Sequence, residues 1–200
     1  MSDLLTLAKK IRIAVLISGE GTNLQSIIDR VKAGKLDAEV AVVISNKKEA
    51  HGLVRARRSG VPAFFVDPKA IKDRQKFDER VLEILTNHHV ELVVMAGYMR
   101  LVQPLLISAF ARRIINLHPS LLPKFKGANA PQQALDAKVE ETGSTVHHVV
   151  AELDAGEPVL QVTVPVLEGD DADTLLKRIQ KEEHKMLPKA IQMFADDKVN

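Results

Sequence analysis

Four short runs in this chain are β-rich yet show no alternation of polar and apolar residues: "IRIAVLIS" (11–18), "EVAVVIS" (39–45), "ELVVMAG" (91–97) and "RIINLH" (113–118). A strand with one face in water alternates, so runs like these need apolar cover on both faces. Helical segments between them can supply it. "NLQSIIDRVKAG" reads as a helix ended by Gly34, "HGLVRARRSG" as a short one, and "RQKFDERVLEILTNHH" carries a stripe of Phe77, Val81, Leu82, Ile84 and Leu85. "PAFFV" (62–66) is a further strand, and a short helical piece follows Pro104. Strand–helix alternation of this kind predicts an α/β fold with a doubly wound, mostly parallel sheet and right-handed crossovers.

After Pro131 the pattern changes. "PQQALDAK" is a short helix, and "TGSTVHHVV" and "EPVLQVTVPV" are strands joined through "ELDAG", a C-terminal antiparallel hairpin that extends the sheet. "DADTLLKRIQKEEHKM" is a closing helix with Asp171 or Asp173 as its N-cap, which Pro188 is expected to kink or restart. The expected organisation is an N-terminal extension over 1–10 and a single domain over 11–200.

Composition narrows the function classes. The 200 residues carry 28 basic and 26 acidic groups, a net charge of +2, with no long basic run, so neither nucleic acid nor a membrane surface is an expected partner. The absence of cysteine excludes disulfides, thiolate catalysis and Cys-type metal sites. The opening "MSDLLTLAKKIR" has too short an apolar run for a signal peptide, and no span approaches transmembrane length. A cytoplasmic protein is expected.

The first run leads into "SGEGTNLQ" (18–25), glycines before a helix N-terminus, whose exposed amides suit an anion. A dinucleotide fingerprint fails here: the third glycine is missing, and the second run ends in "ISNKK" rather than an acidic residue. A Walker A loop fails for want of Gly-Lys-Ser/Thr. Two readings remain, a single phosphate held at Gly21, Thr22 and Asn23, or a purely structural turn. Asn23 is also a candidate N-cap.

Ligands of open α/β sheets bind beyond the carboxyl ends of the strands, where the glycine loop, "AGYMR" and "NLHPS" all lie. Asn116 and His118 are two apart on one strand and share a face. Asn116 can donate to an oxyanion and His118 can move protons, although a strand-end histidine can also be satisfied by backbone alone. His147 and His148 are adjacent and face opposite ways, so they cannot chelate one metal together, and no metal site is expected. Asp154 in "LDAG" is either a turn residue or a partner of His118. Glu183 falls inside the apolar stripe of Leu175, Leu176, Ile179 and Met186 on the closing helix, with Gln180 at the edge. A carboxylate there needs a partner, either an internal Arg or Lys or the hydroxyls of a ligand.

Together these segments ("VLISGEGTNLQSIID", "VVMAGYMRLV", "INLHPSLLPKFKG", "TGSTVHHV", "LDAG", "RIQKEEH") resemble the folate-dependent glycinamide ribonucleotide formyltransferases over nearly the whole chain from Ile11. The resemblance implies the Rossmann-like formyltransferase fold. It implies that Gly21, Thr22 and Asn23 hold the ribonucleotide phosphate, with Gln180 near it, Glu183 on the ribose hydroxyls and Pro119 in the same site. Arg74, Met99, Arg100, Leu101, Val102 and Asn116 would form the site for 10-formyltetrahydrofolate, the formyl donor. Asn116, His118 and Asp154 would be catalytic, with His147 in support. No metal is implied, the partners are small molecules, and the protein would be a monomer or homodimer. Two departures stand out: Lys126 replaces a usual proline in "KFKGANAPQQAL", making that loop similar to those of deformylase and methionyl-tRNA formyltransferase relatives, and His148 replaces a usual aromatic. The extra domains of those relatives, an N-terminal regulatory domain and a C-terminal tRNA-binding domain respectively, are not expected in a chain with this start and length.

Overall fold

A computed structural model describes residues 10–197, so the expected extension over 1–10 falls almost entirely outside the described residues. The strands are β1 (Ile11–Ile17), β2 (Ala38–Ser45), β3 (Ala63–Phe65), β4 (Leu92–Met95), β5 (Ile114–His118), β6 (Glu141–His148) and β7 (Pro158–Pro165). The helices are α1 (Thr22–Lys32), α2 (His51–Arg58), α3 (Arg74–Asn87), α4 (Pro104–Ala109), α5 (Ala130–Asp136) and α6 (Ala172–Asp197). One seven-stranded sheet runs in the order β3-β2-β1-β4-β5-β6-β7. It is parallel from β3 to β5 and antiparallel at β5–β6 and β6–β7.

The unalternating runs are the central strands. Ile13, Val15 and Ile17 of β1 pack on one face with Leu24 and Ile27 of α1 and Leu187 and Ile191 of α6. Ala14 and Leu16 pack on the other with Phe77, Val81 and Leu85 of α3 and Leu106 of α4. Since β1 is covered on both sides, no polar residue is tolerated between Ile13 and Ile17. The connection from β6 to β7 is longer than the turn expected from the sequence and spans residues 149–157.

Asp171 caps α6 through a reciprocal box, its Oδ1 accepting from Thr174 N (2.7 Å) and its own N–H donating to Thr174 Oγ1 (2.9 Å). The restart considered at Pro188 does not occur: α6 runs on through it to Asp197. Pro188 is buried in line with Leu187, Ala190 and Ile191, and that packing against α1 outweighs the one hydrogen bond a proline removes.

The glycine loop owes its shape to a close approach. Gly21 takes a left-handed conformation (φ 70), and a Cβ built on it would lie 2.7 Å from Gly52 Cα at the start of α2. Gly52 N donates to Gly19 O (3.1 Å) and Arg55 Nε to Glu20 O (2.8 Å), so α2 holds the loop by its carbonyls. Gly21→Ala should therefore cost at least about 1–2 kcal/mol from the left-handed backbone alone, with the overlap on Gly52 in addition. Urea unfolding would register this as a lower midpoint at unchanged slope. An unchanged midpoint would mean that the loop relaxes freely.

Candidate active site

The strand order reverses direction between β1 and β4, and the loops leaving their carboxyl ends diverge there. A cavity of about 950 Å³ opens at this edge. Gly21, Thr22, Asn23, Gln180 and Glu183 line it, as do Met99, Arg100, Leu101 and Val102, together with Asn116, His118, Pro119, His147 and Asp154. Arg74 stands apart. As the first residue of α3 it is exposed and does not line the cavity, so only a part of a ligand projecting beyond the cavity would meet it.

At the glycine-loop end, the amides of Gly21, Thr22 and Asn23 donate to no protein acceptor among the described residues. Asn23 is not the N-cap; Gly21 occupies that position, and the Asn23 side chain turns toward α6 instead. Asn23 Nδ2 donates to Glu183 Oε2 (2.9 Å), while Asn23 Oδ1 is buried without a partner. Glu183, 4% exposed, thus finds neither of the internal cations considered from the sequence. Its partners are Asn23 and the Ser144 hydroxyl, 2.9 Å from Oε1.

Ser144 Oγ also lies 2.9 Å from His118 O, and one hydroxyl proton cannot serve two acceptors. The Ser144 hydrogen goes to one of them at a time, and the His118 carbonyl also accepts from Ser120 N (2.9 Å). Burial pushes the Glu183 carboxyl above its ordinary range, opposed by the bonds from Asn23 and Ser144 and by the nearby His118.

The histidines are held as firmly. His147 Nδ1 lies 2.9 Å from His148 O and its Nε2 3.2 Å from Asn116 Nδ2. Burial lowers the His147 pKa, and a neutral ring with Nδ1 protonated accepts from Asn116 at Nε2. His118 Nδ1 approaches Asp154 Oδ2 at 3.4 Å, and His118 Nε2 lies 2.8 Å from Phe125 O. Asp154 also accepts from Gly127 N (2.9 Å), and its Oδ1 sits 3.6 Å from His147 Nε2. His148 faces away and stacks edge-on against Phe194. No set of three or more His or carboxylate groups is arranged to hold a metal among the described residues, and none of their helices is long and apolar enough to cross a membrane.

The sequence reading missed Ser144, Phe125 and Asp78. Ser144 and Phe125 act through a hydroxyl and a carbonyl that carry no sequence signature. Asp78 did have one: it lies three, four and seven residues before Val81, Leu82 and Leu85 on the apolar stripe of α3, and it is 3% exposed.

The raised Glu183 pKa sets a stability prediction. Its contribution is fully present below the ordinary glutamate value of about 4.3 and is lost as pH rises through the raised folded-state value. Glu183→Gln keeps an oxygen for Asn23 and a donor for Ser144 without the charge. Its melting temperature should match the parent at acid pH and exceed it increasingly toward neutral pH. Parallel melting curves across that range would contradict a raised Glu183 pKa.

Comparison with known proteins agrees with this architecture. Residues 11–191 match the family model described as formyl transferase. The phosphoribosylglycinamide formyltransferase of Escherichia coli is 42% identical over 187 residues, 94% of this chain and 88% of that protein. The trifunctional purine biosynthetic protein adenosine-3 of Bos taurus is 43% identical over 191 residues, and the chain spans only 19% of its length. The crystal structure of glycinamide ribonucleotide transformylase 1 from Symbiobacterium toebii superposes with a TM-score of 0.93 at 51% identity, covering 94% of this chain and 89% of that one. With the matching fold, the cleft at the β1/β4 switch and these likenesses along its length, the chain belongs to the formyl transferase family.

Proposed function

We propose that this chain transfers the formyl group of 10-formyltetrahydrofolate to the amine of glycinamide ribonucleotide, giving formylglycinamide ribonucleotide and tetrahydrofolate in purine biosynthesis. The observation that carries this reading is the mixed lining of one cavity. Unpaired amides at Gly21–Asn23 suit a phosphate, apolar side chains at Met99 (71% exposed) and Leu101 (54% exposed) suit a flat ring system, and Asn116, His118 and Asp154 line the same cavity. In this reading Gln180 neighbours the phosphate, Glu183 receives the ribose hydroxyls, and Pro119 closes the ribonucleotide side. Arg74 would serve a folate tail projecting into solvent.

The chemistry needs no metal. The amine attacks the formyl carbon, a C–N bond forms, and the carbonyl oxygen takes the negative charge. Asn116 has a second Nδ2 hydrogen beyond the one toward His147, and that hydrogen can donate to the oxyanion. An imidazolium donates from both nitrogens, so the acceptors flanking His118, Asp154 Oδ2 and Phe125 O, suit the cation. Donation to the oxyanion requires His118 Nε2 to exchange the Phe125 carbonyl for it, which couples the loop after β5 to the reaction. As the intermediate collapses, the bond to folate N10 breaks. The proton lost by the amine passes to that nitrogen, with Asp154 positioned to relay it through water.

An assay with both substrates tests the reaction class. Formylated product should appear only when the amine is present; folate deformylation without the amine, and no formyl product with it, would make the protein a hydrolase. Asp154→Asn keeps the shape and removes the charge beside His118. Its kcat should fall on the order of 10²-fold or more while folding is retained, since both electrostatic and proton-transfer effects are damaged. Unimpaired turnover would reduce Asp154 to a turn residue.

A further inference from the structure

The segment between β4 and α4 gives Gly97 to Val102 to the cavity lining, yet it is neither helix nor strand. No backbone–backbone hydrogen bond is made from residues 97–102 among the described residues. Two side chains from other elements hold it instead. Ser18 Oγ, at the end of β1, accepts from Met99 N (2.8 Å) and donates to Asn46 Oδ1 (2.5 Å). Asp78 Oδ2, on α3, accepts from Gln103 N (2.6 Å), and Gln103 is in turn the N-cap residue of α4. Between these anchors the Arg100 guanidinium stacks over the Phe77 ring at 4.0 Å, next to Asp78 in the chain. Arg100 Nε is buried with no partner.

Asp78 is not part of the cavity wall, and an apolar residue would suit its place on α3 better. Burial pushes its carboxyl above the ordinary range, while the Gln103 amide and the Arg100 charge oppose that. A buried carboxylate costs stability unless it is bonded, and here its bond goes to the cavity loop rather than to the core. We infer that Asp78 is a positioning residue for the formyl donor: with Arg100 and Gln103 it holds residues 99–102 as a preset ledge whose main-chain groups, apart from the Met99 N–H taken by Ser18, face the folate ring. This rests on the proposed reading of that loop as the folate side of the cleft. A ledge ordered before the ligand arrives spares the entropy of ordering it on binding, so the effect falls on folate affinity. The ribonucleotide end, held by Gly52, Arg55 and Glu183, does not depend on Asp78.

Steady-state kinetics on the full chain, varying each substrate in turn, test this for Asp78→Ala and Asp78→Asn. In Asp78→Ala the KM for 10-formyltetrahydrofolate should rise on the order of tenfold, as loss of a charge-assisted hydrogen bond predicts, with the ribonucleotide KM within about twofold and kcat little changed. Asp78→Asn retains an acceptor for Gln103 N and should recover most of the loss. Calorimetric binding of tetrahydrofolate should follow the same order. Should Asp78→Ala not fold, Asp78→Ser, polar but too short for the 2.6 Å contact, makes the same comparison. Equal losses for both substrates, or none for folate, would overturn the assignment. If the parent protein itself neither transfers formyl groups nor binds tetrahydrofolate, the functional reading fails instead, so the two failures are distinguishable.

Discussion

Strand β1 must bury both faces at once while pairing β2 on one side and β4 on the other. That constraint organises the rest of the molecule. Val15 sits between Val43 and Val94, and such a row of β-branched residues can only be covered by helices crossing above and below. Because the chain winds outward from β1 in opposite directions, the loops after β1 and β4 part at their carboxyl ends. The cavity is a consequence of that parting, and the residues that line it are those that leave the two strands first.

A cleft formed this way exposes main-chain groups that the sheet no longer pairs, and each must find a partner or remain for a ligand. Glycine solves the problem after β1, where Gly21 meets Gly52 and the loop carbonyls are taken by α2. Buried polar side chains solve it elsewhere. Ser144 links α6 to the backbone of His118, Asp154 links the β6–β7 connection to Gly127, and Asp78 links α3 to Gln103. In each case a desolvated polar group is stable only because its hydrogen bond spans two elements, so the site's geometry and its partner's position are set together.

Much of this was legible in the chain. The unalternating runs implied a parallel sheet, and "SGEGTN" and "NLHPS" fell at the edge where the cavity opens, because periodicity and glycine placement are local properties. Glu183 was recognisable as misplaced on an apolar stripe. Its partners were not, since Asn23 and Ser144 lie 160 and 39 residues away and neither side chain is unusual in its own segment. Asp78 carried the same signal as Glu183 on α3, a carboxylate beside Val81 and Leu85. The restart considered at Pro188 fails for the opposite reason: a local helix-breaker does not end a helix that is packed along its length.

The sequence by itself determined the layer architecture, the edge of the sheet at which the cavity opens, and the identity of the polar residues in the "NLHPS" and "LDAG" segments. Hydrophobic period and turn chemistry act over a few residues and leave their mark there. Only the tertiary structure decided that His118 stands between Asp154 and Phe125 O, that Asn116 turns to His147 rather than to His118, and that Arg74 lies outside the cavity. The second follows from the β5–β6 register that pairs Asn116 with His147, and the first from loops of 125–129 and 149–157 folding over β5. Their conformation is fixed by hydrogen bonds between segments distant in the chain, which no local pattern records.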